Sequence, residues 1–295
     1  RIAQEIGMQT VAGYAERFGV YDRLGPFLAN ALGAQETTLF KMVAAYAMFA
    51  NGGERVEPTL VDRVQDRFGH TIYRHDQRIC ETCDQDELAQ GEGVKITSNR
   101  ERVMNAITAY QLTSMLEGVV QRGTASGIDL PVPGKTGTTN DSKDVWFIGY
   151  TSNIVAGCYI GYDQPRTMAG ASGGGFCGPV FQEFMTEAIK DYGGGKFAVP
   201  PGGYFIKIDR FTGALLPEDA TGDNVVAEYF RDGEQPVFGL GEMVDGGFAM
   251  GSNLPLFAYG EAEIDQGTTI TNAEGESVVV PKKADFGTVS SGGLY

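Results

Sequence analysis

Long hydrophobic runs are missing from this sequence of 295 residues. The longest strongly apolar stretch, Met42 to Ala50, is far shorter than the roughly 20 residues that a membrane-spanning helix requires. The sequence therefore predicts no segment that crosses a bilayer. A secretory signal and an initiator methionine are also missing, since the chain opens with Arg1. We therefore expect the chain to be a fragment of a longer protein.

Positive charge is scarce as well. Lys and Arg total 23 against 38 Asp and Glu, which gives a formal net charge of −15. A balance this acidic argues against nucleic acid and against anionic membrane surfaces as partners. Residues 201–295 carry 15 acidic and 5 basic residues, a net of −10, so the acidity belongs mainly to the C-terminal part and indicates a solubility feature. The apolar content of 42% is ordinary for a globular protein with an ample core.

Cysteine is rare too, with four residues in the chain. Four side chains that can bind zinc lie within fourteen positions: His70, His75, Cys80 and Cys83. The Cys-x-x-Cys spacing in this group can hold zinc, whereas a compartment outside the cytoplasm favours a disulfide, and plain thiols are a third interpretation. We rank a disulfide or plain thiols ahead of zinc and predict no metal site. Cys158 and Cys177 can pair only if the fold brings them together.

Hydrophobic periodicity predicts helices and strands in alternation. Apolar residues recur at helical spacing over four segments: 1–22, 37–53, 105–121 and 179–191. The second of these is apolar nearly all round, so deep burial is expected. Strand-like segments lie between and after the helices: 54–79, 134–139, 145–150, 154–162 and 204–209. The combination predicts an α+β fold with an antiparallel sheet flanked by helices.

Changes in composition predict three parts of the chain. Residues 1–195 form the main domain, and 196–240 form a C-terminal extension after a Gly-rich boundary. Beyond 240, Gly, Asp and Glu dominate and hydrophobic periodicity fades. We therefore expect 241–295 to be an acidic, disordered tail.

One short stretch carries the most chemical information, Gly134-Lys135-Thr136-Gly137-Thr138-Thr139. In a strand, alternate side chains point to opposite faces, so Thr136 shares a face with Thr138 while Lys135 shares the other with Gly137. Gly137 has no side chain, so another element can approach the backbone there. The threonines form a hydroxyl-lined strip that can bind a carboxylate, and the lysine lies beside a vacant slot. A lone Lys-Thr-Gly also fits an exposed strand with a Gly kink.

The surroundings of this triplet carry a resemblance to a known family. The string from Gly134 to Asp141, followed by Asp144-Val145-Trp146-Phe147-Ile148-Gly149-Tyr150, closely resembles the transpeptidase domain of class A penicillin-binding proteins, the 1A type in particular. Members combine Lys-Thr-Gly with a Ser-x-x-Lys and a Ser-x-Asn motif. The resemblance covers about residues 1–240. It implies a penicillin-binding transpeptidase fold, related to that of serine β-lactamases and incomplete here at its N-terminus.

The resemblance also implies a reaction and a set of site residues. A serine is acylated by the penultimate D-Ala of one peptidoglycan stem peptide, and the amine of a neighbouring stem peptide then takes the acyl group. Lys135 would lie beside the active-site serines, and the Thr138 backbone N–H would form half of the oxyanion hole. The hydroxyls of Thr136 and Thr138 would bind the terminal carboxylate of D-Ala-D-Ala or of a β-lactam. The implied substrate-binding residues are Thr136, Gly137, Thr138 and Thr139, and no cofactor is implied.

The chain departs from the family pattern in its serines. No serine is followed by Lys three positions later, and no Ser-x-Asn is present. We therefore expect the chain to contain one of the three catalytic motifs, and the fragment alone should not turn over substrate. The family also carries an upstream membrane anchor and a glycosyltransferase domain, which implies a location at the periplasmic face of the bacterial inner membrane.

The implied partners are peptidoglycan stem peptides and β-lactams, with further copies or other cell-wall synthesis proteins as additional partners. Nucleic acid is not expected. Two alternatives to a transpeptidase stay open. One is a related serine hydrolase, either a D,D-carboxypeptidase or a β-lactamase. The other is a non-catalytic module that binds cell-wall peptide through the strand edge.

Overall fold

The computed structural model describes residues 1–83 and 94–234, together with four short strands further along the chain. It divides into two compact units, one ending at Pro200 and the next beginning at Pro201. The domain limits predicted at 195 and 240 stay predictions, and the predicted disorder of 241–295 falls mostly outside the described residues. In the ranges described, every helix is too short or too polar to cross a bilayer.

Helices lie at the four segments where the periodicity predicts them. Their bounds are Ile2–Ile6 (α1), Met8–Arg17 (α2), Leu39–Ala50 (α3), Ala106–Arg122 (α4) and Gly178–Tyr192 (α5). The predicted helix over 1–22 is divided at Gly7, whose φ of 83° lies in the left-handed region that favours glycine. Thr38 caps α3, because its hydroxyl accepts a hydrogen bond from the Lys41 N–H at 3.2 Å. The Asn105 side chain caps α4 in the same way.

Every strand pair is antiparallel among the residues described. The strands are Arg63–Gln65 (β1), Thr71–Arg74 (β2), Ile79–Cys80 (β3), Ile96–Thr97 (β4), Gly134–Thr138 (β5), Asp144–Tyr150 (β6), Val155–Gly161 (β7), Gly203–Asp209 (β8), Val225–Arg231 (β9), Met243–Val244 (β10), Phe248–Ala249 (β11), Thr268–Thr271 (β12) and Ser277–Val280 (β13). Strands β5, β6 and β7 form a three-stranded sheet in that order, and the other strands pair two by two. Strands β4 and β9 have no counterpart in the sequence-based prediction, and β10–β13 lie in the segment for which the sequence predicts a disordered tail.

Helices cover both faces of the three-stranded sheet. On one face, the Phe147 ring of β6 is fully buried and lies 4.8 Å from the Phe181 ring of α5, centroid to centroid. On the other face, α3 packs against β7 at Gly157, where an added Cβ would lie 2.6 Å from the Val43 side chain. This arrangement confirms the predicted α+β fold with an antiparallel sheet flanked by helices.

The burial expected for α3 is only partly correct. Ala44, Ala45 and Met48 are buried, but the Phe40 side chain remains 62% exposed. The first turn of the helix lies beside an open cleft, which Leu39 borders. Leu39 therefore faces the cleft, whereas Phe40 is exposed outside the cleft lining.

Candidate active site

Strand β5 lies at an edge of its sheet and pairs with β6 alone among the described strands. The Thr139 N–H donates to the Asp144 carbonyl at 3.0 Å, so these two residues form a hydrogen-bonded pair of the antiparallel ladder. Because hydrogen-bonded and non-hydrogen-bonded pairs alternate, the backbone groups of Thr136 and Thr138 point away from β6. The strand therefore presents outward-facing N–H and C=O groups at an open edge.

The side chains of β5 alternate between the two faces of the sheet, as the sequence predicts. Thr136 lies opposite Phe147 in the ladder, so Thr136 and Thr138 belong to the face that α5 covers. Lys135 and Gly137 belong to the face toward α3. The lysine and the threonine hydroxyls thus flank the strand from opposite sides.

The Lys135 side chain bends along the open edge of the strand. Its Nζ donates to the Thr136 carbonyl at 2.8 Å. In the described part of the chain, no carboxylate lies within ion-pair distance of this ammonium group. Because Lys carries three N–H donors, Lys135 retains donors for an anionic ligand.

The two threonine hydroxyls of β5 both have partners on the α5 side of the strand. The Thr136 and Thr124 hydroxyl oxygens lie 2.7 Å apart, and Thr138 Oγ1 accepts the Gly173 N–H at 3.1 Å. A hydroxyl has one proton and two lone pairs, so Thr138 keeps its proton for another acceptor. One hydroxyl of the Thr136–Thr124 pair also keeps a proton to donate. Sequence reasoning did not identify Thr124 or Gly173.

The Thr139 hydroxyl holds the turn between β5 and β6. Its Oγ1 accepts the Asp144 N–H at 2.8 Å and donates to the Asp144 carbonyl at 3.3 Å. Asp141 and Ser142 in this turn have φ values of 60° and 49°, a left-handed conformation that is uncommon for residues other than glycine. These bonds give Thr139 a structural role, and its predicted contact with substrate stays a prediction.

A cleft of about 660 Å³ opens on the Lys135 side of the sheet. Its walls come from β5, β6, β7, the first residues of α3 and the segments around them: Tyr21, Leu32, Gly33, Gln35, Glu36, Thr37, Thr38, Leu39, Met42, Tyr46, Lys135, Thr136, Gly137, Thr138, Thr139, Asp144, Trp146, Ile148, Tyr159, Tyr162, Asp163 and Pro165. All five predicted site residues border this cleft. No serine is among the described residues that line it.

An aromatic pair and a carboxylate form one wall of the cleft. The Trp146 and Tyr159 rings lie 4.8 Å apart, on residues that face each other across β6 and β7. The Tyr159 hydroxyl donates to Asp144 Oδ1 at 2.8 Å, and this bond raises the pKa of Tyr159 above its ordinary value. Tyr159 is not recognisable as a site residue from the sequence, because its place in the cleft depends on the β6–β7 register.

The four cysteines form two disulfides, Cys80–Cys83 and Cys158–Cys177, each with a Cα–Cα distance of 5.5 Å. Both histidines have other partners: His70 Nδ1 lies 3.0 Å from Asp66, and His75 Nε2 lies 2.9 Å from a backbone carbonyl. Within the described ranges, no three His, Cys, Asp or Glu side chains are placed to hold a metal ion. The structure therefore favours the disulfide over the zinc alternative.

Comparison with known proteins identifies the family. The family model for the penicillin binding protein transpeptidase domain matches residues 1–186. Penicillin-binding protein 1A of Rickettsia bellii is 41% identical over 223 residues, which are 74% of this chain and 28% of that protein. Penicillin-binding protein 1A of Rickettsia prowazekii is 35% identical over 276 residues, 92% of this chain and 34% of that protein.

This chain is also similar to a solved structure of a penicillin-binding protein. Penicillin-Binding Protein 1A from Haemophilus influenzae superposes with a TM-score of 0.63 at 29% identity, over 80% of this chain and 38% of that one. The chain spans about a third of the length of the relatives that it matches. Because the family model matches more than half of the chain, the protein belongs to the penicillin-binding protein transpeptidase family, and its relatives place it with the class A, 1A-type members.

Proposed function

We propose that this chain is part of a peptidoglycan D,D-transpeptidase, a serine-type enzyme that cross-links stem peptides and that β-lactams acylate. One observation carries the proposal: the Thr138 N–H faces outward on the same open strand edge as the Thr136 carbonyl that accepts from the Lys135 ammonium group, and this ammonium group has no carboxylate partner among the described residues. Family membership supports the same conclusion.

The reaction consists of two acyl transfers. In the first, a serine oxygen bonds to the carbonyl carbon of the penultimate D-Ala, the bond to the terminal D-Ala nitrogen breaks, and D-Ala leaves with the proton that the serine gave up. In the second, the acceptor amine bonds to the same carbon, and the serine oxygen leaves with the proton that the amine gave up. The carbonyl oxygen becomes negatively charged in each transfer. The Thr138 N–H is the donor of this chain that would stabilise that charge.

The other residues of β5 bind and orient the donor peptide. An extended peptide can add to the open edge of the strand, where backbone groups give affinity and the cleft gives specificity. The hydroxyls of Thr136 and Thr138 would donate to the terminal carboxylate. The charge of Lys135 would attract that carboxylate and favour the deprotonated serine oxygen.

The nucleophile is the part of the mechanism that these residues do not supply. Because no Ser-x-x-Lys occurs in the sequence and no serine lines the described cleft, we place the serine in the remainder of a longer polypeptide, here called the parent polypeptide. This chain alone would then be inactive. In the parent polypeptide, an upstream glycosyltransferase domain and a membrane anchor would hold the domain at the periplasmic face of the inner membrane.

Because no serine lines the cleft among the residues described, the site also fits a second function, a non-catalytic module that binds cell-wall peptide along β5. A D,D-carboxypeptidase or a β-lactamase would use the same acyl-enzyme with water in place of the acceptor amine. These functions differ in which protein is acylated and in what takes the acyl group. They can therefore be separated experimentally.

The proposal is tested by intact mass spectrometry after incubation with benzylpenicillin. The samples are this chain and the parent polypeptide, and peptide mapping locates any adduct. We expect one penicilloyl adduct on the parent polypeptide, on a serine outside these 295 residues, and none on this chain. An adduct on this chain would place the nucleophile within these 295 residues. If neither protein forms an adduct, the function as a non-catalytic binding module is favoured instead.

A further inference from the structure

A segment behind β5, buried at its first and last residues, contacts the strand at the position of the proposed oxyanion hole. The segment is a π-helical turn, Gly173–Cys177, that leads directly into α5. Its first residue, Gly173, donates its N–H to Thr138 Oγ1 at 3.1 Å. An added Cβ at Gly173 would lie 2.6 Å from the Gly137 carbonyl oxygen, so only glycine allows this approach. The hydrogen bond therefore depends on a close contact between two backbones.

This hydrogen bond determines the direction of the Thr138 hydroxyl proton. Thr138 Oγ1 is the acceptor toward Gly173, because a backbone N–H can only donate. The proton of the hydroxyl must then point away from Gly173. A threonine held in this way is a donor to a ligand, which is the role that recognition of a carboxylate requires.

Two further contacts hold the segment in place. The Cys158–Cys177 disulfide joins its last residue, which is fully buried, to the middle of β7. At its start, the Ser172 hydroxyl accepts the Gly175 N–H at 3.1 Å. The segment is thus attached to the sheet that carries β5, with the disulfide at one end and the Gly173 contact at the other.

We propose that Gly173 and the Cys158–Cys177 disulfide form a positioning device that directs the Thr138 hydroxyl toward the carboxylate of the substrate. Gly173 and the two cysteines are positioning residues, since they act through Thr138 and do not touch the reacting atoms. The inference rests on the proposed function, because it concerns the carboxylate of the same substrate. It predicts that disturbing the segment impairs recognition of the carboxylate more than the acyl transfer itself.

The test compares two probes on the parent polypeptide: benzylpenicillin, which has a carboxylate, and its methyl ester, which does not. The variant Gly173→Ala is measured beside Gly127→Ala, a control whose added methyl group meets open space. We expect Gly173→Ala to lower the acylation rate with benzylpenicillin about tenfold or more, the size of a lost hydrogen bond to a charged group, and to change the rate with the ester much less. Gly127→Ala should change neither rate.

A second variant keeps the inference falsifiable if Gly173→Ala does not fold. The double variant Cys158→Ser/Cys177→Ser should also lower the ratio of the acylation rate with benzylpenicillin to the rate with the ester. The double variant Cys80→Ser/Cys83→Ser should leave this ratio unchanged. Equal losses with both probes, or no loss, would overturn the inference. Alkylation of Cys158 and Cys177 in the untreated protein would overturn the part that concerns the disulfide. If the unaltered parent polypeptide is not acylated at all, the proposed function fails instead.

Discussion

Lys135 lies opposite Ile148 in the β5–β6 ladder, so its side chain leaves the strand on the face that borders the cleft. The residue has no carboxylate partner among those described, although the chain carries a net charge of −15. Its ammonium group attracts an anion at short range, against the repulsion from the net negative charge of the chain. Removal of the Lys135 charge should therefore impair recognition of an anionic substrate.

Replacement of Lys135 by Ala should lower the rate of penicillin acylation of the parent polypeptide by about 10²–10³, the usual cost of losing a group that stabilises developing charge. Lys135→Arg should retain part of the rate, because it keeps the charge but changes the donor geometry. The control is Lys143→Ala, which removes a nearby lysine that pairs with Asp141 at 3.5 Å. A loss smaller than threefold for Lys135→Ala would contradict the role assigned to it.

Thr139→Val should destabilise the first unit by about 1 kcal/mol, because the Asp144 N–H then loses its hydroxyl acceptor. Thr139→Ser should restore most of this loss, since it keeps the hydroxyl. Urea unfolding of this chain measures the change in free energy. If Thr139→Val instead slows acylation of the parent polypeptide and leaves stability unchanged, Thr139 contacts the substrate as the sequence predicts.

Tyr150→Phe should lower the free energy of unfolding by about 1 kcal/mol. The Thr113 hydroxyl donates to the Ala109 carbonyl at 2.9 Å, so it must accept from the Tyr150 hydroxyl, which lies 3.0 Å away in the core. Thr113→Val removes that acceptor and leaves a buried phenol unsatisfied, so it should cost more, about 1–3 kcal/mol. Equal stability of Tyr150→Phe and the unaltered chain would show that the bond contributes nothing.

Alkaline pH should weaken the fold through Tyr46. Burial raises the pKa of Tyr46 to about 12 from its ordinary 10.0. A raised pKa in the folded state gives stability that is complete below the unfolded pKa and lost as pH rises through the folded pKa. We therefore expect the free energy of unfolding to fall between about pH 10 and pH 12. Urea unfolding across this range measures the fall, which should be smaller for Tyr46→Phe.

Local features of the structure are predictable from the sequence, and long-range contacts are not. The two faces of β5 follow from spacing alone, because the alternation depends only on neighbouring residues. The partners of the β5 hydroxyls come from 12 and 35 residues away, at Thr124 and Gly173. The Gly-rich stretch that contains Gly173 is recognisable only as a turn, since sequence spacing does not show which backbone packs against it.

The most direct test of the proposed activity is the cross-linking reaction. The parent polypeptide is incubated with glycan strands that carry pentapeptide stems, and the digested products are identified by mass spectrometry. We predict cross-linked dimers that lack one D-Ala, absent after treatment with penicillin and strongly reduced for Lys135→Ala. Products that remain monomeric, with or without the loss of D-Ala, would contradict the assignment of this chain to a transpeptidase.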